Sequence, residues 1–137
     1  IADSSVKRLK ARVRDIVVGN ASRNLDVAIE ALNPVLRGWM SYFRYTEVQG
    51  VLQELDGWIR RRLRCLLWKQ RKRTYSRFKA LVGRGLTAER AWASARNGRG
   101  PGWNAGASHM NTAFPKGFFD QRGLVSLLDT RRRFQCV

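Results

Sequence analysis

Residues 52–73 read LQELDGWIRRRLRCLLWKQRKR, and their pattern predicts the helix on which the rest of the fold is built. Leucine and isoleucine recur every three or four residues, which is the spacing of one buried face of an α-helix. At about 100° per residue, Arg60 and Arg64 fall beside that face, whereas Trp68 falls roughly opposite it. The segment therefore predicts a helix that packs through its leucines and presents its arginines. Trp68 lies among the cations, where it either stacks on a base or sugar or packs against another domain.

Two further amphipathic helices are predicted before this segment. In the first, apolar residues recur between residues 6 and 16, and Gly19-Asn20 ends the helix. In the second, they recur between residues 25 and 43, with an interruption at Asn33-Pro34. Because proline lacks an amide hydrogen, this is either one kinked helix or two helices with Asn33 as the N-cap of the second. Three such helices in sequence predict a small helical bundle.

The second half of the chain predicts shorter elements. Residues 75–82 are predicted to form one helix, and Thr87 is the predicted N-cap of another that runs to residue 95. Residues 97–106 hold four glycines and one proline, so they are predicted to form a loop. Residues 108–128 predict short helical pieces, and residues 131–133 a basic tail.

These patterns predict an all-α fold in two parts. The first is a three-helix bundle over residues 1–73, and the second is a small, loop-rich helical region over residues 74–137 that also binds nucleic acid. The chain begins Ile1-Ala2-Asp3 without an initiator methionine, so we expect it to be a fragment of a longer protein.

The charge of the chain is strongly unbalanced. The 137 residues carry 27 Lys and Arg against 10 Asp and Glu, a formal net charge of +17. No carboxylate occurs in the 32 residues between Asp56 and Glu89. This favours a polyanionic partner, either a nucleic acid or an anionic membrane surface. Nucleic acid is the preferred prediction, because the apolar residues suffice for a bundle core and none of their runs approaches the ~20 residues that span a bilayer.

The sequence holds no obvious catalytic or metal-binding set. His109 is the single histidine and is predicted to be a surface or hydrogen-bonding residue. Glu54 and Asp56 point to different sides of a helix and are predicted to be solvated or paired with arginines. Cys65 is predicted to be a half-buried thiol, and with Cys136 and one histidine it cannot complete a four-ligand zinc site. The chain is therefore predicted to bind a partner without an active site, metal or cofactor of its own.

The candidate nucleic-acid-binding residues are cations of the acid-free segment, of the second helix and of the glycine-rich loop, together with one tryptophan. They are Arg37, Arg44, Arg60, Arg61, Arg64, Trp68, Lys69, Arg71, Lys72, Arg73, Arg77, Lys79, Arg84 and Arg99. A rigid helical face that tracks phosphates suits structured RNA. A sequence-specific DNA-binding module built on the helices between residues 75 and 95 is the alternative.

Three motifs resemble one known family. Residues 32–44, LNPVLRGWMSYFR, resemble the signature of the maturase-specific region of group II intron-encoded reverse transcriptases. Residues 55–64, LDGWIRRRLR, with Trp68-Lys69-Gln70 after them, continue the resemblance, and so does GLVSL at residues 123–127. The resemblance covers nearly the whole chain.

The resemblance implies the thumb, or X, domain of a bacterial reverse transcriptase, followed by its DNA-binding region. In that family the thumb binds the intron RNA, assists its folding and splicing, and grips the template–primer duplex during retrohoming. The implied partners are therefore group II intron RNA, template–primer or target DNA, and the protein's own fingers and palm. The palm's Tyr-Ala-Asp-Asp motif is absent from this sequence, so we expect no enzyme activity from this chain alone.

The resemblance also implies where the cofactor and the protein are found. Mg²⁺ is expected in the missing palm and in the intron RNA, and the location is expected to be a ribonucleoprotein in the bacterial cytoplasm. Besides the DNA-binding module, one more alternative stays open, the thumb of a related reverse transcriptase with a role outside introns, such as defence.

Overall fold

A computed structural model describes residues 3–43 and 49–135, so the predictions for Arg44 and Cys136 lie outside the described residues. Within those ranges the chain forms nine helices and no strand, which confirms the predicted all-α fold. None of these nine helices is long and apolar enough to cross a lipid bilayer. Their bounds are α1 (Asp3–Gly19), α2 (Leu25–Phe43), α3 (Gln49–Gln70), α4 (Thr74–Gly83), α5 (Ala88–Ala95), α6 (Pro101–Gly106), α7 (Ser108–Ala113), α8 (Lys116–Gln121) and α9 (Leu127–Gln135).

The long helix α3 joins the two halves of the chain. It contacts α1 and α2 from the first half, which form the predicted bundle with it, and α6 and α9 from the second half. Residues 63–66 are all buried, so α3 is covered on every side at that level. A single hydrophobic cluster extends from Leu9 in α1 through Leu63 in α3 to Phe119 in α8. The division of the chain at residue 73 stays a prediction.

The interruption at Asn33-Pro34 does not split the second helix, because α2 runs without a break through Pro34. Asn33 is therefore not an N-cap. Its side-chain amide instead reaches the loop between α8 and α9, where Nδ2 donates to the Gly123 carbonyl at 2.8 Å and Oδ1 accepts from the Val125 amide at 2.9 Å. The first motif thus contacts the GLVSL segment ninety residues further along the chain.

Asp56 fixes the same segment from α3, and the prediction that it is solvated or paired with an arginine is wrong. Its carboxylate is 5% exposed and accepts hydrogen bonds from Ser126 Oγ at 2.8 Å and from the amides of Leu127 and Leu128 at 2.8 and 3.0 Å. Amides at a helix start have no partner within their helix, so a buried carboxylate there satisfies them and complements the helix dipole. Asp56 therefore anchors the start of α9 on α3.

Three predicted element boundaries differ from the structure. The helix expected to reach residue 73 ends at Gln70, whose side-chain amide donates to the Ala21 and Arg23 carbonyls. Residues 71–73 form a connector, and Arg73 takes the extended conformation that precedes α4. The loop predicted at residues 97–106 contains α6, which begins at Pro101, and the predicted basic tail belongs to α9.

Candidate nucleic-acid interface

Nine cations line three adjoining concavities around the end of α3 and the face of α4, and we call this surface the basic groove. The central concavity has a volume of about 490 Å³. It shares Arg71 with the second concavity and Asn24 and Gln70 with the third. The groove cations are Arg23, Lys69, Arg71, Lys72, Arg73, Arg77, Lys79, Arg84 and Arg122.

The positive charge of the basic groove is not balanced by carboxylates inside it. Among the described residues, neither Asp nor Glu lines any of its three concavities. The salt bridges between described residues lie at its border or elsewhere: Arg122 Nη1 is 3.1 Å from Asp26 Oδ1, and Lys116 binds Asp120 and Asp129. Between residues 60 and 84, no cation forms a salt bridge with a described carboxylate. The groove therefore keeps a positive potential that a polyanion would neutralise.

Several groove arginines are held by aromatic rings and backbone carbonyls. The Arg77 guanidinium lies 4.4 Å from the Trp68 ring centroid, and its Nη2 donates to the Trp68 carbonyl at 3.4 Å. Arg84 and Arg122 each lie 4.5 Å from the Phe118 ring centroid. Arg84 Nε also donates to the Ala113 carbonyl at 2.7 Å. These contacts leave the charges in place and reduce the side-chain freedom that an anion would have to remove.

Of the two roles predicted for Trp68, stacking on a base and packing against another part of the protein, the structure shows packing. Trp68 is 3% exposed, and its ring packs between the Arg77 guanidinium and the His109 ring, whose centroid is 5.4 Å away. The helical projection assumed that α3 has a solvent face opposite its leucines, whereas the second half of the chain covers that face. A buried ring offers no face to a nucleobase, so Trp68 supports the floor of the groove in this structure.

Arg64 is also withdrawn from solvent, at 7% exposure. Its Nε donates to the Phe114 carbonyl at 2.8 Å. Burial lowers the pKa of Arg64 to about 10, with a further contribution from the Arg60 charge, and the side chain stays protonated at neutral pH. Burial likewise lowers the pKa of Arg77. Arg64 therefore joins α3 to the second half of the chain, which differs from the exposed position predicted for it.

The other predicted cations lie apart from the groove. Arg61 donates to the Gly102 carbonyl at 3.2 Å beside α6, and Arg60 is half-buried. Arg37 lines a separate concavity together with the carboxylates of Asp120 and Asp129. Arg99 lies 4.6 Å from the exposed Trp103 ring. Whether any of these residues binds RNA stays a prediction.

Two groove cations were missed by the sequence reasoning, Arg23 and Arg122. Arg23 lies in the turn between α1 and α2, and Arg122 follows α8. Neither belongs to a charge run or an amphipathic face, so no local pattern marks them. The packing of the α1–α2 turn on the end of α3 brings Arg23 beside Lys69 and Lys72, and the packing of the two halves of the chain brings Arg122 into the concavity of Arg71 and Arg77.

His109 is a buried hydrogen-bonding residue, as one of the two predicted options stated. It is 6% exposed, and its Nε2 lies 2.9 Å from Asn104 Oδ1. Asn104 Nδ2 in turn donates to Asn97 Oδ1 and to the carbonyls of Arg99 and Gly100. These hydrogen bonds hold the segment before α6 against that helix. Burial, assisted by the charge of Arg90, lowers the pKa of His109 below its usual range.

This lowered pKa predicts a stability change with pH. Because the folded chain binds the proton less readily than the unfolded chain, the contribution is intact above about pH 6.5 and is lost as the pH falls from there towards the folded pKa. The free energy of unfolding should fall by at most about 1.4 kcal/mol per pH unit in that window. Urea unfolding of the native chain and of His109→Gln at several pH values measures it, and equal pH dependence in both proteins would contradict the assignment.

The fold and the basic groove together define an all-helical protein with a concave, strongly cationic surface. Residues 6–83 match the family model of the group II intron maturase-specific domain. The match spans more than half of the chain, so the chain belongs to this family. It contains the motifs at residues 32–44 and 55–64 and confirms their resemblance. The GLVSL motif at residues 123–127 lies outside the match, and the DNA-binding region stays a prediction. A comparison with curated proteins gave no match.

The matched segment ends at Gly83, the last residue of α4, and it contains seven of the nine groove cations. Membership supports an intron-related role in RNA splicing and an association with intron RNA. The maturase-specific domain is not the catalytic palm of the polymerase, so no catalytic activity is expected from this segment.

Proposed function

We propose that the basic groove binds the phosphates of group II intron RNA and so stabilises the RNA fold that splices. The observation that carries the proposal is the groove of nine cations without a lining carboxylate, most of it inside the maturase-specific segment. Cations that neutralise phosphates release counterions, which is the main source of affinity for nucleic acid. The splicing chemistry itself belongs to the RNA in this proposal.

The groove takes its cations from separate parts of the chain, which suits contact with more than one RNA segment. Arg23 comes from the turn after α1, Arg73 from the connector before α4, and Arg122 from the end of α8. Contacts from three elements that pack together fix the relative positions of the phosphates that they bind. A protein that binds only the folded arrangement of an RNA stabilises that arrangement by mass action.

We also propose that the same groove grips the template–primer duplex during DNA synthesis. An RNA-containing duplex is recognised mainly by shape and backbone contacts, which an arginine-lined helical surface supplies. The other proposed partners are the protein's own fingers and palm and target DNA. The proposed location is a ribonucleoprotein in the bacterial cytoplasm. Mg²⁺ is assigned to the palm and to the intron RNA, as the family resemblance implies. In the described part of this chain, no three His, Cys, Asp or Glu side chains lie together.

A footprinting experiment tests the proposal. The RNA is the group II intron that encloses the reading frame, folded with and without a saturating amount of the chain and then cleaved by hydroxyl radicals. We expect protection of a few discrete backbone segments that are distant in sequence, since a rigid groove contacts a defined surface. An intron-sized RNA of scrambled sequence is the control. Uniform protection, or equal protection of both RNAs, would show a generic polycation and contradict the proposal.

A further inference from the structure

Three aromatic side chains form a continuous row at the edge of the basic groove, and we call them the stacking row. Tyr75 and Phe78 lie on α4 and Trp92 lies on α5. Their ring centroids are 6.2 Å apart for Tyr75 and Phe78 and 5.3 Å apart for Phe78 and Trp92. Phe78 packs against the core, whereas Tyr75 is 62% exposed and Trp92 is 40% exposed.

Burial does not explain the two outer rings of the row. A ring that served only the core would be covered almost completely, because its buried surface stabilises the fold, whereas Tyr75 is 62% and Trp92 is 40% exposed. Here Phe78 fills that role, and its neighbours extend the aromatic surface outward from it. The row therefore leaves aromatic surface accessible to a partner, whereas Trp68, for which stacking was one predicted role, is buried.

Cations identify the chemistry of this partner. Lys79 Nζ lies 5.7 Å from the Tyr75 ring centroid, and the Arg96 guanidinium lies 5.6 Å from that of Trp92. Tyr75 also lines the second concavity of the basic groove together with Arg71 and Arg73, so one end of the row lies inside the groove. Helices α4 and α5 contain a single carboxylate, Glu89.

We propose that the stacking row binds unpaired bases of the RNA whose phosphates occupy the basic groove. Aromatic rings beside cations suit an unpaired nucleotide, because a base stacks on a ring face while its phosphate meets the charge. Bases inside a duplex already stack on one another, so the row selects loops, bulges and single-stranded ends. This proposal rests on the proposed function of the groove and adds the class of RNA structure that binds next to it.

Equilibrium binding of the 137-residue chain tests the row, with two RNA probes. One is a single strand of about 12 nucleotides without self-complementarity, and the other is a blunt duplex of about 16 base pairs. Tyr75→Ala with Trp92→Ala should weaken single-strand binding by about 5- to 150-fold. Duplex binding should change far less, and the salt dependence of single-strand binding should stay the same because no phosphate contact is removed.

Matched variants separate stacking from other effects. Tyr75→Phe with Trp92→Phe keeps the rings and should retain most of the single-strand affinity. Val82→Ala, which truncates another exposed apolar residue of α4, should have no effect on either probe. Circular dichroism and urea unfolding of each variant show whether it folds.

Several outcomes would overturn the proposal. Unchanged single-strand affinity in the folded alanine variant would do so, as would an equal loss for duplex and single strand. Loss of binding to vesicles of phosphatidylserine and phosphatidylcholine, with RNA binding intact, would assign the row to a membrane instead. None of these results contradicts the proposed function of the groove. That proposal fails separately, if RNA binding does not depend on the charge of the groove.

Discussion

Replacing Lys69, Arg71, Lys72 and Arg73 together by glutamine is expected to weaken the binding of group II intron RNA by about 100- to 1,000-fold at about 0.1 M salt. All four side chains are exposed and line the basic groove. Each cation that neutralises a phosphate contributes somewhat less than one decade of affinity at this salt concentration. Four such contacts therefore account for about three decades as an upper limit.

The fold should survive these four substitutions. Substitution of exposed surface residues usually changes the free energy of unfolding by less than about 0.5 kcal/mol. Arg64 and Arg77 are left out of the variant because their burial would mix a loss of binding with a loss of stability. The variant isolates the charge of the groove for this reason.

A second four-residue variant controls for total charge. It removes the same charge from exposed positions on α1 and α9 outside the groove. Its substitutions are Lys7→Gln, Arg8→Gln, Arg12→Gln and Arg133→Gln. We expect it to lose only a small part of the affinity, because long-range charge is screened beyond about 10 Å at this salt concentration. An equal loss in both variants would mean that net charge alone, without a groove, accounts for binding.

Replacing Asp56 by alanine is expected to lower the free energy of unfolding by about 2–4 kcal/mol. The substitution removes the acceptor of two backbone amides and one hydroxyl at the buried start of α9. A buried donor left without a partner costs about 1–3 kcal/mol, and the loss of a helix cap typically costs about 1 kcal/mol. This is the largest single-residue stability effect that we expect among the polar side chains.

Urea unfolding measures the effect of Asp56→Ala, with Glu54→Ala as the matched control. Glu54 is an exposed carboxylate on the same helix, two residues earlier, so its removal should change stability by less than about 0.5 kcal/mol. If the two variants have the same stability, Asp56 does not anchor α9. Asp56→Asn should lie between them, since its amide oxygen still accepts one or two of the hydrogen bonds.

The sequence was informative wherever local chemistry decides the structure. Apolar spacing marks α1, α2 and α3, and Thr87 caps α5 by accepting from the Arg90 amide at 3.3 Å, as predicted. Seven of the nine groove cations also come from the acid-free segment between Asp56 and Glu89. These features depend on residues within one or two helical turns of one another, which a single sequence displays directly.

The errors occur where distant segments meet. The helical projection of α3 placed Trp68 and Arg64 in solvent because nothing local shows that the second half of the chain covers them. Asp56 appeared to be one more surface charge, although its partners lie seventy residues further along the chain. The motifs at residues 32–44 and 123–127 were noticed separately, and the hydrogen bonds of Asn33 show that they contact each other.

The salt dependence of intron RNA binding tests the central claim most directly. The logarithm of the association constant is measured against the logarithm of salt concentration for the native chain and for the Lys69, Arg71, Lys72 and Arg73 variant. We predict a linear decrease in both, with a slope that is shallower by about 3 in the variant, since each lost phosphate contact removes about 0.7–0.9. Equal slopes and equal affinities would contradict the claim that this groove binds the RNA.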